Sequence, residues 1–94
     1  MAAAEMGEVW VFNGANAGFP SAIFSTRESA ERWIEARGLT GTLTWYPVDE
    51  SAYDWAIRND RFTPKKEAHR TAEFIAKFSS TKDHYHYEGG SLVG

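Results

Sequence analysis

Two histidines and two tyrosines alternate near the end of the chain, in the segment KDHYHYEGG at residues 82–90. In a β-strand, His84 and His86 would lie on one face, and Tyr85 and Tyr87 on the other. Imidazole nitrogens at this spacing can bind one metal ion, or can exchange protons near neutral pH. The simpler alternative is a final strand whose tyrosines pack inward while its histidines face water, or the reverse.

A metal site in this segment would need a third ligand, and Glu88 lies on the same predicted face as the two histidines. The alternative metal-binding set is therefore His84, His86 and Glu88, although a His-x-His pair without a companion motif more often belongs to an ordinary strand. Catalysis would need a nucleophile and an orienting carboxylate beside an imidazole, and no spacing singles out such groups. The motifs GxSxG and HExxH and a phosphate-binding glycine loop are absent. We therefore expect no catalytic residues, no cofactor and no enzymatic activity.

Trp55 is a second candidate for binding, because it lies beside the apolar stripe of a predicted helix. That stripe consists of Tyr53, Ala56 and Ile57. Trp55 is therefore either exposed or covered by the following loop, which contains Phe62. Exposed tryptophans are enriched at protein interfaces. The candidate binding residues are Trp55, His84, Tyr85, His86 and Tyr87.

Composition limits the functions that this chain can have. The 94 residues include four Trp, four Tyr and six Phe but no cysteine. The lack of cysteine excludes a disulfide framework, thiolate zinc sites and cysteine catalysis, and it fits a reducing compartment, so we expect a cytoplasmic protein. No apolar run is long enough to span a bilayer, and the start MAAAEMGE lacks the features of a secretory signal.

Charge is distributed unevenly along the chain. Residues 1–57 carry three basic and eight acidic side chains, whereas residues 58–94 carry seven basic and five acidic ones. The basic segment RNDRFTPKKEAHR at 58–70 can be a solvated loop or a contact for an anionic partner. A net charge of −3 does not provide the strongly basic face that is typical of nucleic-acid binding. We expect neither a nucleic acid nor a membrane as the partner.

Apolar and turn residues predict a small α+β domain with strands at residues 8–12, 21–24 and 41–49, and a possible fourth strand at 84–88. The predicted helix caps are Ser25 (with Glu28 in a capping box), Ser51 and Thr71, and Gly38 should end the first helix. The order is β-β-α-β-α-α-(β). It indicates a mostly antiparallel sheet of three to four strands with about three helices on one face.

The predicted domain organisation has three parts. Residues 1–7 are expected to form a disordered leader, residues 8–88 a single α+β domain, and residues 89–94 a flexible tail. If the segment HYHYE is an edge strand, its unpaired backbone groups could join two copies in a homodimer.

Several segments occur in an order that is similar to a known family. They are WVFNG, IFS before a capped helix, LTGTLTWYPVD, YDWAI, FTPKK, FIxxF and HYHYE. Over residues 8–88 the chain resembles a family of small bacterial domains of unknown function. The resemblance implies a soluble bacterial protein whose domain often stands alone, and it supplies no catalytic or ligand-binding residues.

The acidic N-terminal half, the many aromatic residues and the lack of a catalytic motif favour a non-enzymatic protein-binding module. Our specific expectation is an accessory or immunity-type protein that masks a partner. The alternative is a metal- or small-ligand-binding protein that uses the His-x-His segment.

Overall fold

The computed structural model describes residues 7–94, which form one five-stranded antiparallel sheet with helices on one side. The strands are β1 (Glu8–Gly14), β2 (Ala22–Phe24), β3 (Gly41–Pro47), β4 (His84–Glu88) and β5 (Ser91–Leu92). The helices are α1 (Arg27–Arg37), α2 (Ala52–Arg58) and α3 (Ala72–Lys77), with a 3₁₀ turn at Glu67–Arg70 before α3. The strand order is β2-β1-β3-β4-β5.

The α+β class and the element order are confirmed, and the sheet has one strand more than predicted. The leader predicted over residues 1–7 lies outside the described residues, except for Gly7.

The additional strand, β5, lies in the segment 89–94, which was predicted to be a flexible tail. Gly89 and Gly90 have φ values of 56° and 90°, as a two-residue type I′ hairpin turn requires. Glycine adopts these angles without a steric cost, so the chain turns back and pairs Ser91 with Glu88.

The predicted edge strand HYHYE is therefore an inner strand over much of its length. Beyond β5, the backbone N–H of Val93 donates to His86, and the N–H of His86 donates to the carbonyl of Gly94. The edge of the sheet on this side is β5, so a homodimer through the backbone of β4 would first require β5 to leave.

Hydroxyl side chains begin each of the helices α1, α2 and α3. The N-cap of α1 is Thr26, whose Oγ1 accepts from the backbone N–H of Ser29 at 3.1 Å, and the predicted cap, Ser25, is wrong by one residue. The two neighbouring hydroxyl residues have similar capping preferences, so the sequence pattern alone could not choose between them. Ser51 and Thr71 cap α2 and α3 as predicted. Gly38, with a φ of 62°, ends α1.

The core lies between one face of the sheet and helices α1 and α2. Its buried residues are Trp10, Phe12, Ala30, Ile34, Leu43, Trp45, Trp55, Ala56 and Tyr87. The strand residues among them belong to one alternation, because Trp10 is paired with Trp45, and Phe12 with Leu43. No helix among residues 7–94 is long and apolar enough to cross a membrane.

A second group of rings attaches α3 and the 3₁₀ turn to α2. The ring of Tyr53 lies 5.7 to 6.2 Å from the rings of Phe62, Phe74 and Phe78. The Tyr53 hydroxyl also donates to the backbone carbonyl of His69 at 2.7 Å. The long connection between α2 and β4 is therefore packed by its own aromatic residues.

We expect Gly41→Ala to destabilise the fold, because Gly41 sits where β1 and β3 approach closely. A Cβ at this position would overlap the carbonyl oxygen of Asn13 and would lie 2.7 Å from the ring of Phe12 and 2.9 Å from the Cα of Gly14. The free energy of unfolding, measured by urea denaturation, should fall by about 1–3 kcal/mol.

Gly18→Ala is the matched control for this variant, because an added Cβ there has nothing within 4 Å. Its free energy of unfolding should stay within about 0.5 kcal/mol of the wild type. Equal urea midpoints for the two variants would show that the close approach at Gly41 does not constrain the sheet.

Candidate functional site

The strand residues that point away from the helices form a second face of the sheet, which we call the open face. Its residues are Val9, Val11, Asn13, Ile23, Thr42, Thr44, Tyr46, His84, His86, Glu88 and Ser91. The strand register aligns Ile23, Val11, Thr44 and His84 in one row across four strands. Ile23 is 65% exposed at one end of this row, and Val11 is buried at its centre.

The open face carries one formal charge, that of Glu88 next to the hairpin turn, when its histidines are neutral. Its other side chains are aliphatic groups, hydroxyls, one amide and two imidazoles. Beside His84, the hydroxyl residues Ser79, Ser80 and Thr81 border a shallow depression of about 330 Å³ whose floor includes Thr44. The face can therefore make apolar contacts and neutral hydrogen bonds.

The two histidines of β4 lie side by side on the open face. Their ring centroids are 5.1 Å apart and their planes are nearly perpendicular. Both side chains are exposed. The Nδ1 atom of His86 is 3.2 Å from the Oγ1 of Thr42, its neighbour on β3, so this ring is held by a hydrogen bond.

Glu88 follows the histidines on the same side of β4, next to the hairpin turn. Among residues 7–94, no three His, Cys, Asp or Glu side chains lie close enough together to hold a metal ion. The structure therefore brings His84 and His86 together but does not add Glu88 to them as a third ligand.

Tyr85 and Tyr87 point to the other side and attach α1 to β4. The guanidinium of Arg27 lies 3.7 Å from the centre of the Tyr85 ring, which also packs against Trp10. The Tyr87 hydroxyl donates to Glu31 Oε2 at 2.6 Å, and the same carboxylate oxygen accepts from Arg27 Nε at 3.2 Å. Tyr87 is only 3% exposed, so it cannot act as a contact residue on this surface.

Sequence reasoning missed the part that Arg27 and Glu31 play at this contact. The only signal available was their spacing of four residues, which places an Arg and a Glu on the same side of a helix. Nothing in the sequence indicated that a tyrosine more than fifty residues away would complete the group.

Trp55 is a core residue. The sequence left open whether it is exposed or covered, and in the structure it is covered. It is 7% exposed, and its ring lies 5.2 Å from that of Trp45, with the guanidinium of Arg61 at 5.3 Å on the loop side. Ile57, which was predicted to face inward, is 36% exposed instead. The sheet offers α2 a large aromatic partner in Trp45, so the helix turns Trp55 inward. Trp55 is therefore removed from the candidate contact surface.

Within residues 7–94, these features define a small α+β domain whose antiparallel sheet is covered by helices on one face. Residues 9–93 match the family described as Domain of unknown function (DUF7710), and the chain belongs to this family. The resemblance seen in the sequence is thereby confirmed, and the matched region extends past residue 88 to include β5. No curated protein matches the chain, and no solved structure matches it. The family description names no activity, so the function has to be inferred from the chain's own surface.

We expect the contribution of Tyr87 to stability to disappear at high pH. Burial, together with the hydrogen bond to the Glu31 carboxylate, raises the pKa of Tyr87 to about 12. Because the pKa of the folded protein lies above the ordinary value near 10, this contribution is complete below pH 10 and is lost as the pH rises to about 12. At neutral pH, Tyr87→Phe should lower the free energy of unfolding by about 1 kcal/mol, the net value of one hydrogen bond.

The measurement is the difference in free energy of unfolding between wild type and Tyr87→Phe as a function of pH. This difference should shrink between pH 10 and 12. Tyr46→Phe, on the open face, is the matched control, and at neutral pH it should change stability by less than about 0.5 kcal/mol. A difference for Tyr87→Phe that stays constant over this range would contradict the assignment.

Proposed function

We propose that the protein binds another protein through its open face, and that binding, not catalysis, is its function. The observation that supports this most is the low charge of that face. One of its eleven residues, Glu88 next to the hairpin turn, is Asp, Glu, Lys or Arg, although these types make up 24% of the chain. Charged residues are depleted at the cores of protein interfaces, because a charge that loses its water there must be compensated.

The partner that best fits this face is a protein surface of low charge. Ile23 offers an exposed aliphatic group at the β2 edge. Thr42 and Thr44 offer hydroxyls near the centre, and the imidazoles of β4 offer nitrogens that donate or accept hydrogen bonds. A strongly charged partner would lose its hydration here and would find at most one opposite charge, that of Glu88. Aliphatic side chains interspersed with amides, hydroxyls or backbone groups would complement the face.

The footprint must extend beyond the sheet, because specific interfaces commonly use about 20–30 residues on each side. The loop at 15–21 leads directly into β2, and its residues are exposed. Phe19 in this loop is 83% exposed, which is unusual for a large aromatic side chain. We therefore include Phe19, which precedes Ile23 by four residues, in the proposed footprint as an aromatic anchor.

We also propose a masking role, which the breadth of the face supports. Small-molecule sites are usually concave and enclose most of their ligand, whereas a sheet face lies flat against a surface of comparable size. This supports the proposal of an accessory or immunity-type protein that covers part of its partner. A bacterial cytoplasm remains the setting expected from the sequence.

The test is a pair of isoleucine variants. The partner is first captured from host extract on wild-type protein, identified and purified, and its affinity is then measured by calorimetry. Ile23→Asp should weaken binding at least tenfold, because it places an uncompensated charge in the interface. Ile75→Asp is the matched control, since this isoleucine is also exposed but lies on α3, and it should bind like the wild type.

Two results would contradict the proposal. One is that no protein is retained above background from the host extract. The other is that Ile23→Asp binds the purified partner as tightly as Ile75→Asp does. Sedimentation over a range of protein concentrations identifies a second copy of the chain as the partner if a dimer forms and Ile23→Asp dissociates it.

A further inference from the structure

The imidazoles of His84 and His86 have a separation that suits a shared metal ion. A metal ion about 2.0–2.1 Å from one nitrogen of each ring lies about 3.2 Å from each ring centroid. Centroids that are 5.1 Å apart then subtend an angle of about 105° at the ion, which is close to the tetrahedral value. Both rings are exposed, so an ion and its water molecules can reach them.

Metal-binding histidines usually donate a hydrogen bond from the ring nitrogen that does not bind the metal. Thr42 offers an oxygen that can accept such a bond. Its Oγ1 is 3.2 Å from Nδ1 of His86. When the Nδ1–H donates to this hydroxyl, the proton is kept on Nδ1 and the lone pair of Nε2 is available to a metal. Such hydrogen bonds orient the ring and make the ligating nitrogen more basic.

From this arrangement we propose that His84 and His86 together bind one divalent transition-metal ion, with Zn²⁺ and Cu²⁺ as the class of ion that imidazole favours. No third His, Cys, Asp or Glu stands close enough among residues 7–94, so the remaining coordination positions are filled by water. Cu²⁺ should bind more tightly than Zn²⁺, following the usual order for nitrogen ligands. This site goes beyond the proposed protein binding and does not depend on it.

The chain is well suited to a direct test because it has only three histidines. We would titrate the untagged protein with Zn²⁺ and follow the three Hε1–Cε1 signals by NMR. The signals of His84 and His86 should shift together and saturate at one ion per chain, and EDTA should reverse the change. The signal of His69, which lies among the rings around Tyr53, should stay in place.

Variants locate the site and separate ligation from structure. His84→Gln and His86→Gln should each weaken Zn²⁺ and Cu²⁺ binding about tenfold or more, and His69→Gln should leave it unchanged. Thr42→Val should weaken binding at least several-fold, whereas Thr42→Ser, which keeps the hydroxyl, should bind like the wild type. Circular dichroism melting curves establish that each variant is folded.

Two outcomes would overturn the proposal. In the first, neither the His84 nor the His86 signal moves at a large molar excess of Zn²⁺. In the second, His84→Gln and His86→Gln both bind the metal as tightly as the wild type, which would place the ion elsewhere. Neither outcome affects the Ile23→Asp experiment, so failure of the metal site and failure of the protein-binding proposal can be distinguished.

Discussion

The structure depends on burying its large rings on one face of the sheet. The alternation of β1, β3 and β4 puts Trp10, Trp45 and Tyr87 on the side that α1 and α2 cover. A chain of this length buries only about 60–65% of its unfolded surface, so it has enough apolar material for one core layer. None of the helices among residues 7–94 covers the opposite face. It is free to carry side chains that are selected for something other than the core.

Buried Trp45, Tyr53 and Tyr87 each have a hydrogen-bond partner for the polar atom of the ring system. Trp45 Nε1 donates to Glu8 at 2.8 Å, and the hydroxyl of Tyr87 donates to Glu31 at 2.6 Å. In the part of the chain that the structure describes, no buried side-chain nitrogen or oxygen lacks a hydrogen-bond partner. Most of the aromatic residues are thus used inside the domain, whereas Phe19 is exposed. The other side of the sheet carries mostly uncharged side chains, and we propose that it is the functional surface.

Period-two alternation and capping hydroxyls were enough to predict the α+β class, the element order and the positions of most helix ends. These patterns predicted the wrong N-cap for α1, because Ser25 and Thr26 are equally suitable by sequence. They also predicted the wrong inward residue of α2, because packing against the sheet determines whether Trp55 or Ile57 is buried. The sequence predicts a tail at Gly89–Gly90 and not a turn, because a two-residue hairpin needs a partner strand that the local sequence does not reveal. Alternation likewise separated the histidines from the tyrosines of β4. It could not say which pair would face the helices, because that depends on where α1 packs.

The row of side chains from Ile23 to His84 is aliphatic at the β2 end and polar at the β4 end. Four adjacent strands span about 14 Å, so the aliphatic end and the imidazole end both fit beneath one partner. Without a metal, the whole row is neutral and favours an uncharged surface. An ion at His84 and His86 would add two positive charges at one end only, with coordination positions that a carboxylate could fill. The same face would then select a different partner surface according to whether the two imidazoles are occupied, since only one end of the row changes its charge.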